Sequence, residues 1–176
     1  MASTGIASYK VYDGSALGTP VLTASDSAAK FPLGTIVKGA DFSSAAYGEA
    51  EFRYTKFTGS TNIAAGDFVI FAAADNTCIP IAAASRGQIG IAMAAQALAT
   101  ATPTYGWVMV RGVHDAANVV TGGAAGNPLY TCATGARAST AAVSTQAIVP
   151  AFLRVQAAAS NVGIVEIWWP SVVVSV

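Results

Sequence analysis

His114 is the only histidine of the chain and Asp115 follows it directly. A base and a carboxylate of these types can orient one another in general acid–base catalysis. Neighbours along a strand point to opposite faces, so adjacency alone does not pair them. The glycines of Thr121-Gly122-Gly123-Ala124-Ala125-Gly126 have the composition of a phosphate cradle. Such cradles need a preceding strand, a following helix and a Lys or Asp nearby. Asn127-Pro128 follows instead, and the segment reads as a turn. Glu49, Glu51 and Glu166 are the only glutamates. A glycosidase would need two carboxylates flanking a sugar groove, whereas Glu49 and Glu51 share a strand face with Arg53 and read as a solvated charged face.

Cys78 and Cys132 have neither CxxC spacing nor companion histidines, which leaves zinc unsupported. They read as two small buried hydrophobes, compatible with a disulfide but not requiring one. Nucleophile-elbow, zincin-helix and P-loop motifs are all missing from the sequence, so acyl transfer, zinc hydrolysis and phosphoryl transfer lack their usual parts. The expectation is a chain that is not an enzyme and holds no cofactor and no metal.

The elements that would position these residues are strands. Thr35-Ile36-Val37-Lys38-Gly39 is a short β-prone run. Residues 49–57 alternate, with Ala50, Phe52 and Tyr54 on one face and Glu51, Arg53 and Thr55 on the other, the pattern of a half-buried strand. Ala65-Gly66-Asp67 and Asp75-Asn76 supply turns before Phe68-Val69-Ile70-Phe71 and Cys78-Ile79-Pro80-Ile81, a hairpin signature. Pro80 cannot donate to a ladder, so its strand belongs at an edge or a bulge. Gln88-Ile89-Gly90-Ile91-Ala92-Met93 reads as a strand, with a helix over 91–98 as the rival. Residues 105–113, aromatic and β-branched, form the strongest strand. Turn signals surround Leu129-Tyr130-Thr131-Cys132, and a strand over 163–169 is expected to stop at Pro170.

Short strands at regular spacing argue for an all-β fold, an antiparallel β-barrel or β-sandwich. The organisation expected is an extended N-terminal arm over 1–30, a β domain over 31–170 and a short apolar C-terminal tail over 171–176. Trp168-Trp169 places one indole inward and one outward on a strand. The outward ring is either a ligand platform or an interface residue, and the apolar valines behind it favour the interface.

Only 10% of residues are charged and 53% are hydrophobic, against about 25% charged in a typical domain. The usual charged coat is thinned, and the expected reason is that other protein covers the surface. Net charge is zero and the pI is near 6.5, which offers phosphates no basic field. Nucleic acid is therefore not an expected partner. The mean hydropathy of +0.52 does not come from membrane spans, because Gly, Thr, Ser and Gln break every apolar run before about 20 residues. Neither a membrane nor a secretory signal is expected, and synthesis in a cytoplasm follows.

Ala65-Gly66-Asp67-Phe68-Val69, Gln88-Ile89-Gly90-Ile91-Ala92, 106–113 and Val165-Glu166-Ile167-Trp168-Trp169-Pro170 occur in this order. Together they resemble the capsid cement, or head decoration, proteins of tailed bacteriophages over about residues 48–170. Each motif alone is common β-turn chemistry, and their order and spacing carry the likeness. The resemblance implies a non-enzymatic homo-oligomer, most often a trimer. Such a protein sits on the virion's capsid surface and ties major capsid subunits together, so the implied partners are the major capsid protein and copies of itself. The interface residues expected on this reading are Tyr9, Val11, Tyr12, Trp168, Trp169, Val172, Val173 and Val174. The arm and the tail would act as clasps that add strands to a neighbour. The alternative is a carbohydrate- or receptor-binding β module on a virion surface, with Trp168, Trp169, Trp107 or Tyr105 as its stacking platform.

Overall fold

Alternation along Glu49–Phe57 is the clearest local instruction in the chain, and Ala50, Phe52 and Tyr54 are buried as it requires. The computed structural model describes residues 9–13, 20–41, 48–72, 74–98, 102–120, 122–141, 146–155 and 161–174. These form an all-β fold of twelve strands. They are β1 Tyr9–Asp13, β2 Ser25–Asp26, β3 Ile36–Asp41, β4 Glu49–Phe57, β5 Phe68–Phe71 and β6 Thr77–Pro80. β7 Gly87–Ala92, β8 Thr104–Asn118, β9 Pro128–Thr131, β10 Ala138–Ser139, β11 Gln146–Val155 and β12 Val162–Val174 follow. The strand reading of 88–93 holds over its helical rival, because Gly90 lies between β5 and β8, where a side chain at that position would meet Val108 and the Met109 carbonyl.

The pairings close a ring. β4 pairs with β8, β8 with β7, β7 with β5, β5 with β6, and β6 returns to β4. Every link is antiparallel except β6 to β4, which is parallel. Each strand of the ring sends a buried side chain into one cluster: Phe57, Val69 and Phe71, Cys78, Ala92, and Val108 with Val110. Closure removes most free edges, which otherwise invite unwanted pairing. Pro80 departs from the expected edge or bulge, because β6 is paired on both sides, with β5 and with β4. Ile81 donates to the Phe68 carbonyl, so the neighbouring Val69–Pro80 pair turns its outward groups past the end of β4, where no donor is needed.

A second, larger core lies on the other face of these strands and joins Phe52, Tyr54, Ile91, Trp107 and Met109 to Leu129, Ile148, Leu153, Val165 and Ile167. β8 reaches both regions because it is 15 residues long, beyond its expected limits. Its first half pairs with β4 and its second half with β12. The changeover falls at Gly112, whose φ of +121° suits glycine and whose missing Cβ leaves room for Ala50.

Two features differ from the expectation. Segments assigned to the N-terminal arm are paired within the chain, β1 with β3 and β2 with β8. The last strand also passes through Pro170 to Val174. Pro170 is tolerated because β12 changes partner there, from β8 at Trp168 to β7 at Ser171. Opposite it, the β11 register jumps between Val149 and Ala151. Trp169 takes a φ of +50° at this corner, so no ladder hydrogen bond is asked of the proline.

Candidate functional site

β11 and β12 pair in register from Gln146–Val174 to Val149–Ser171. Since side chains alternate, Ala147, Val149, Ser171 and Val173 share one face and Ile148 and Val172 the other. The inner pair is core, at 1% and 5% exposure. The outer face is open, with Val149 at 47% and Val173 at 44%. Past the corner at Pro170, Trp168 continues the same outward aspect at 47% exposure. The result is an apolar strip on solvent, bordered by exposed Pro150 and half-buried Phe152.

Trp168 is held in place by charged neighbours. Its cross-strand partner Arg111 lies over the indole at 4.6 Å from the ring centroid. The indole Nε1 donates to Glu166 Oε1 at 2.7 Å, and Arg154 meets the other oxygen of that carboxylate at 3.5 Å. Arg111 also pairs with Glu51 at 3.0 Å, and Glu51 accepts a second hydrogen bond, at 2.9 Å, from Trp169 Nε1. Exposed ion pairs contribute about 0–1 kcal/mol each and an exposed cation–π contact about 0.5–1 kcal/mol. The chain of contacts therefore adds little to folding. Its effect is to fix the rotamer of an exposed tryptophan, whose ordering would otherwise cost about 0.5–1.5 kcal/mol were that face covered.

The expected interface residues divide into two groups. Trp168, Val173 and Tyr12 are exposed. Val172 is core, and Trp169 is half-buried against the ring cluster. Tyr9 and Val11 pack on the larger core. Tyr9 also donates its hydroxyl to the Val113 carbonyl at 2.6 Å and lies edge-on to Phe52. Val174 pairs with Gln146 in the ladder. Both segments expected to act as clasps are thus engaged inside their own chain, while residues 175 and 176 lie outside the described set. Val149 and Arg111 were not singled out by sequence reasoning, because neither position has a local signal of exposure or pairing.

This division predicts opposite outcomes at adjacent positions. Val172→Ser is expected to lower stability by about 2 kcal/mol or more, from lost apolar burial and a buried hydroxyl. Val173→Ser is expected to change it by less than about 0.5 kcal/mol. Thermal unfolding of the two variants checks the assignment.

The other chemical candidates sit as follows. His114 is fully buried; its Nδ1 accepts from the Ala116 amide at 3.2 Å, and among the described residues its Nε2 has no partner. Burial lowers its pKa to about 4. Cys78 and Cys132 are free, buried thiols, each raised above the ordinary thiol range by desolvation. Glu51 pairs with Arg111, while Arg53 instead donates to Gln88 and Asn76. Among the described residues no group of His, Cys, Asp and Glu is arranged to hold a metal ion. Comparison with family models, with curated proteins and with solved structures finds no match.

Proposed function

We propose that this chain is a capsid cement protein of a tailed bacteriophage, a structural protein that binds the outside of an assembled head. The observation that carries this reading is the outward strip of Val149, Trp168 and Val173, with its tryptophan held ready by Arg111 and Glu166. Tryptophan and arginine are enriched at the energetic centres of protein interfaces. A surface poor in charge can be covered without stranding ions. The order of the turn and strand motifs, similar to that of the cement family, supplies the identity of the covered partner as the major capsid protein. Contacts between copies of the chain then complete the coat on the virion surface.

The mechanism is mass action. A protein that binds the closed shell and not its dissociated subunits raises the free energy of opening. The clasp in this reading is a preformed face, since β1 and the end of β12 are already paired at home. Adding the protein to bare expanded heads is expected to raise the temperature at which they release DNA. Trp168→Ala is expected to weaken binding by about tenfold or more, the effect typical of an interface hot spot, while leaving the isolated protein folded. Heads that open at the same temperature with and without saturating protein would count against the proposal. A glycan-array signal lost in Trp168→Ala would transfer the same face to carbohydrate recognition.

A further inference from the structure

A cavity of about 720 Å³ opens on the opposite side of β6 from the barrel interior. Its rim is the loop bearing Ser60 and Thr61, its wall is Ile79 and Ile81, and Asp67 and Arg137 are its charged groups. Asp67 lies at the base at 7% exposure, where it accepts from the Ala64 amide at 2.7 Å and from Asn118 Nδ2 at 2.7 Å. Burial pushes its carboxyl above the ordinary aspartate range. Half-buried Arg137 lines the same cavity, close enough for its charge to act on Asp67 but not in an ion pair with it. Among the described residues its guanidinium donates no hydrogen bond. A planar fork of five donors, partly removed from water and left unused, matches a carboxylate.

We infer that this cavity binds the C-terminal end of a peptide, with the terminal carboxylate on Arg137 and an aliphatic last side chain against Ile79 and Ile81. Three features select this ligand class. The wall is apolar, with Ile79 at 47% exposure inviting cover. Pro80 presents no N–H to the cavity, so an extended chain cannot zip along β6 and a chain end is favoured over an internal segment. The opposite charges also suit a peptide terminus, which offers a carboxylate and, one residue back, an amide N–H that Asp67 can accept. A phosphate or sulfate carries more negative charge and would meet the Asp67 carboxylate without that compensating donor. The inference is independent of the capsid reading and needs no residue of the tryptophan face.

The test uses the full chain and acetyl-Ala-Val-Ser-Val as probe, titrated as the free acid and as the C-terminal amide with binding followed by NMR shifts. The free acid is expected to bind saturably, moving the amides of residues 59–62 and 135–137. The amide is expected to bind about tenfold or more weakly, the effect of losing hydrogen bonds to a charged group. Arg137→Gln should abolish the difference between acid and amide, and Arg137→Lys should retain part of it, with both variants unfolding at the temperature of the parent. Equal binding of acid and amide, no saturable binding of either, or displacement of the acid by equimolar inorganic phosphate would overturn the inference.

Discussion

Gly66→Ala is expected to destabilise the native fold severely, by about 4 kcal/mol or more. Gly66 has a φ of +88°, and a Cβ there would lie 2.2 Å from the Ala116 carbonyl oxygen. That oxygen cannot swing aside as a side-chain tip would, because it belongs to the backbone of β8. The Gly66 amide also donates to Ala92, and its carbonyl accepts from Asn118. The turn is therefore tied to two strands at the point of closest approach. Gly126→Ala provides the comparison, since Gly126 has a similar φ of +86° but nothing within 4 Å of the added carbon. It is expected to cost only the left-handed conformation, about 1–2 kcal/mol. Urea unfolding of both variants separates steric exclusion from backbone strain, and equal losses would show that the contact with Ala116 is not the cause.

Acid is expected to weaken the fold through His114. The unfolded chain binds a proton at this residue near pH 6.5, while burial delays protonation of the folded chain to about pH 4. Stability is thus complete above pH 6.5 and falls as the pH drops towards 4, by about 3 kcal/mol in all. Asp67 works in the opposite sense, because its raised pKa lets the folded chain take up a proton before the unfolded one. His114→Asn keeps an acceptor near the Ala116 amide and removes the titration. Its stability is expected to be nearly flat between pH 6.5 and 4.5, where the parent slopes. A parent profile as flat as that of the variant would show that His114 is hydrated in the native state.

Much of the fold was legible wherever one residue type settled the local choice. The alternation in β4, the turn chemistry before β5 and the aromatic run of β8 each specified a strand from neighbours in sequence. β11 was missed because Pro150 interrupts a run that is apolar at nearly every position, which hides both the period and the continuity. The same blindness made Pro170 look like the end of β12. Both prolines are accommodated by one irregularity, where β11 slips register opposite the corner of β12, and a pairing between distant segments cannot be read from either segment alone.

The candidate face shows a similar limit. The adjacency of Trp168 and Trp169 told that one indole would face outward but not which, and the structure assigns it to Trp168. The sign of each valine after them was not legible, because their inward or outward direction depends on the bulge at Trp169 and Pro170. Arg111 and Glu51 come together 60 positions apart, a separation at which spacing carries no information. Of the few charges in the chain, Arg111 and Arg154 pair with Glu51 and Glu166 beside the two tryptophans.

Co-sedimentation with bare expanded heads tests the central claim most directly. Purified protein, titrated and pelleted with the heads, is expected to saturate at a fixed ratio to the major capsid protein, and Trp168→Ala is expected to reach half-saturation only at about tenfold or higher concentration. Parent protein that stays in the supernatant at every concentration, or that pellets without saturation and equally well as Trp168→Ala, would contradict the assignment of this chain as a capsid cement protein.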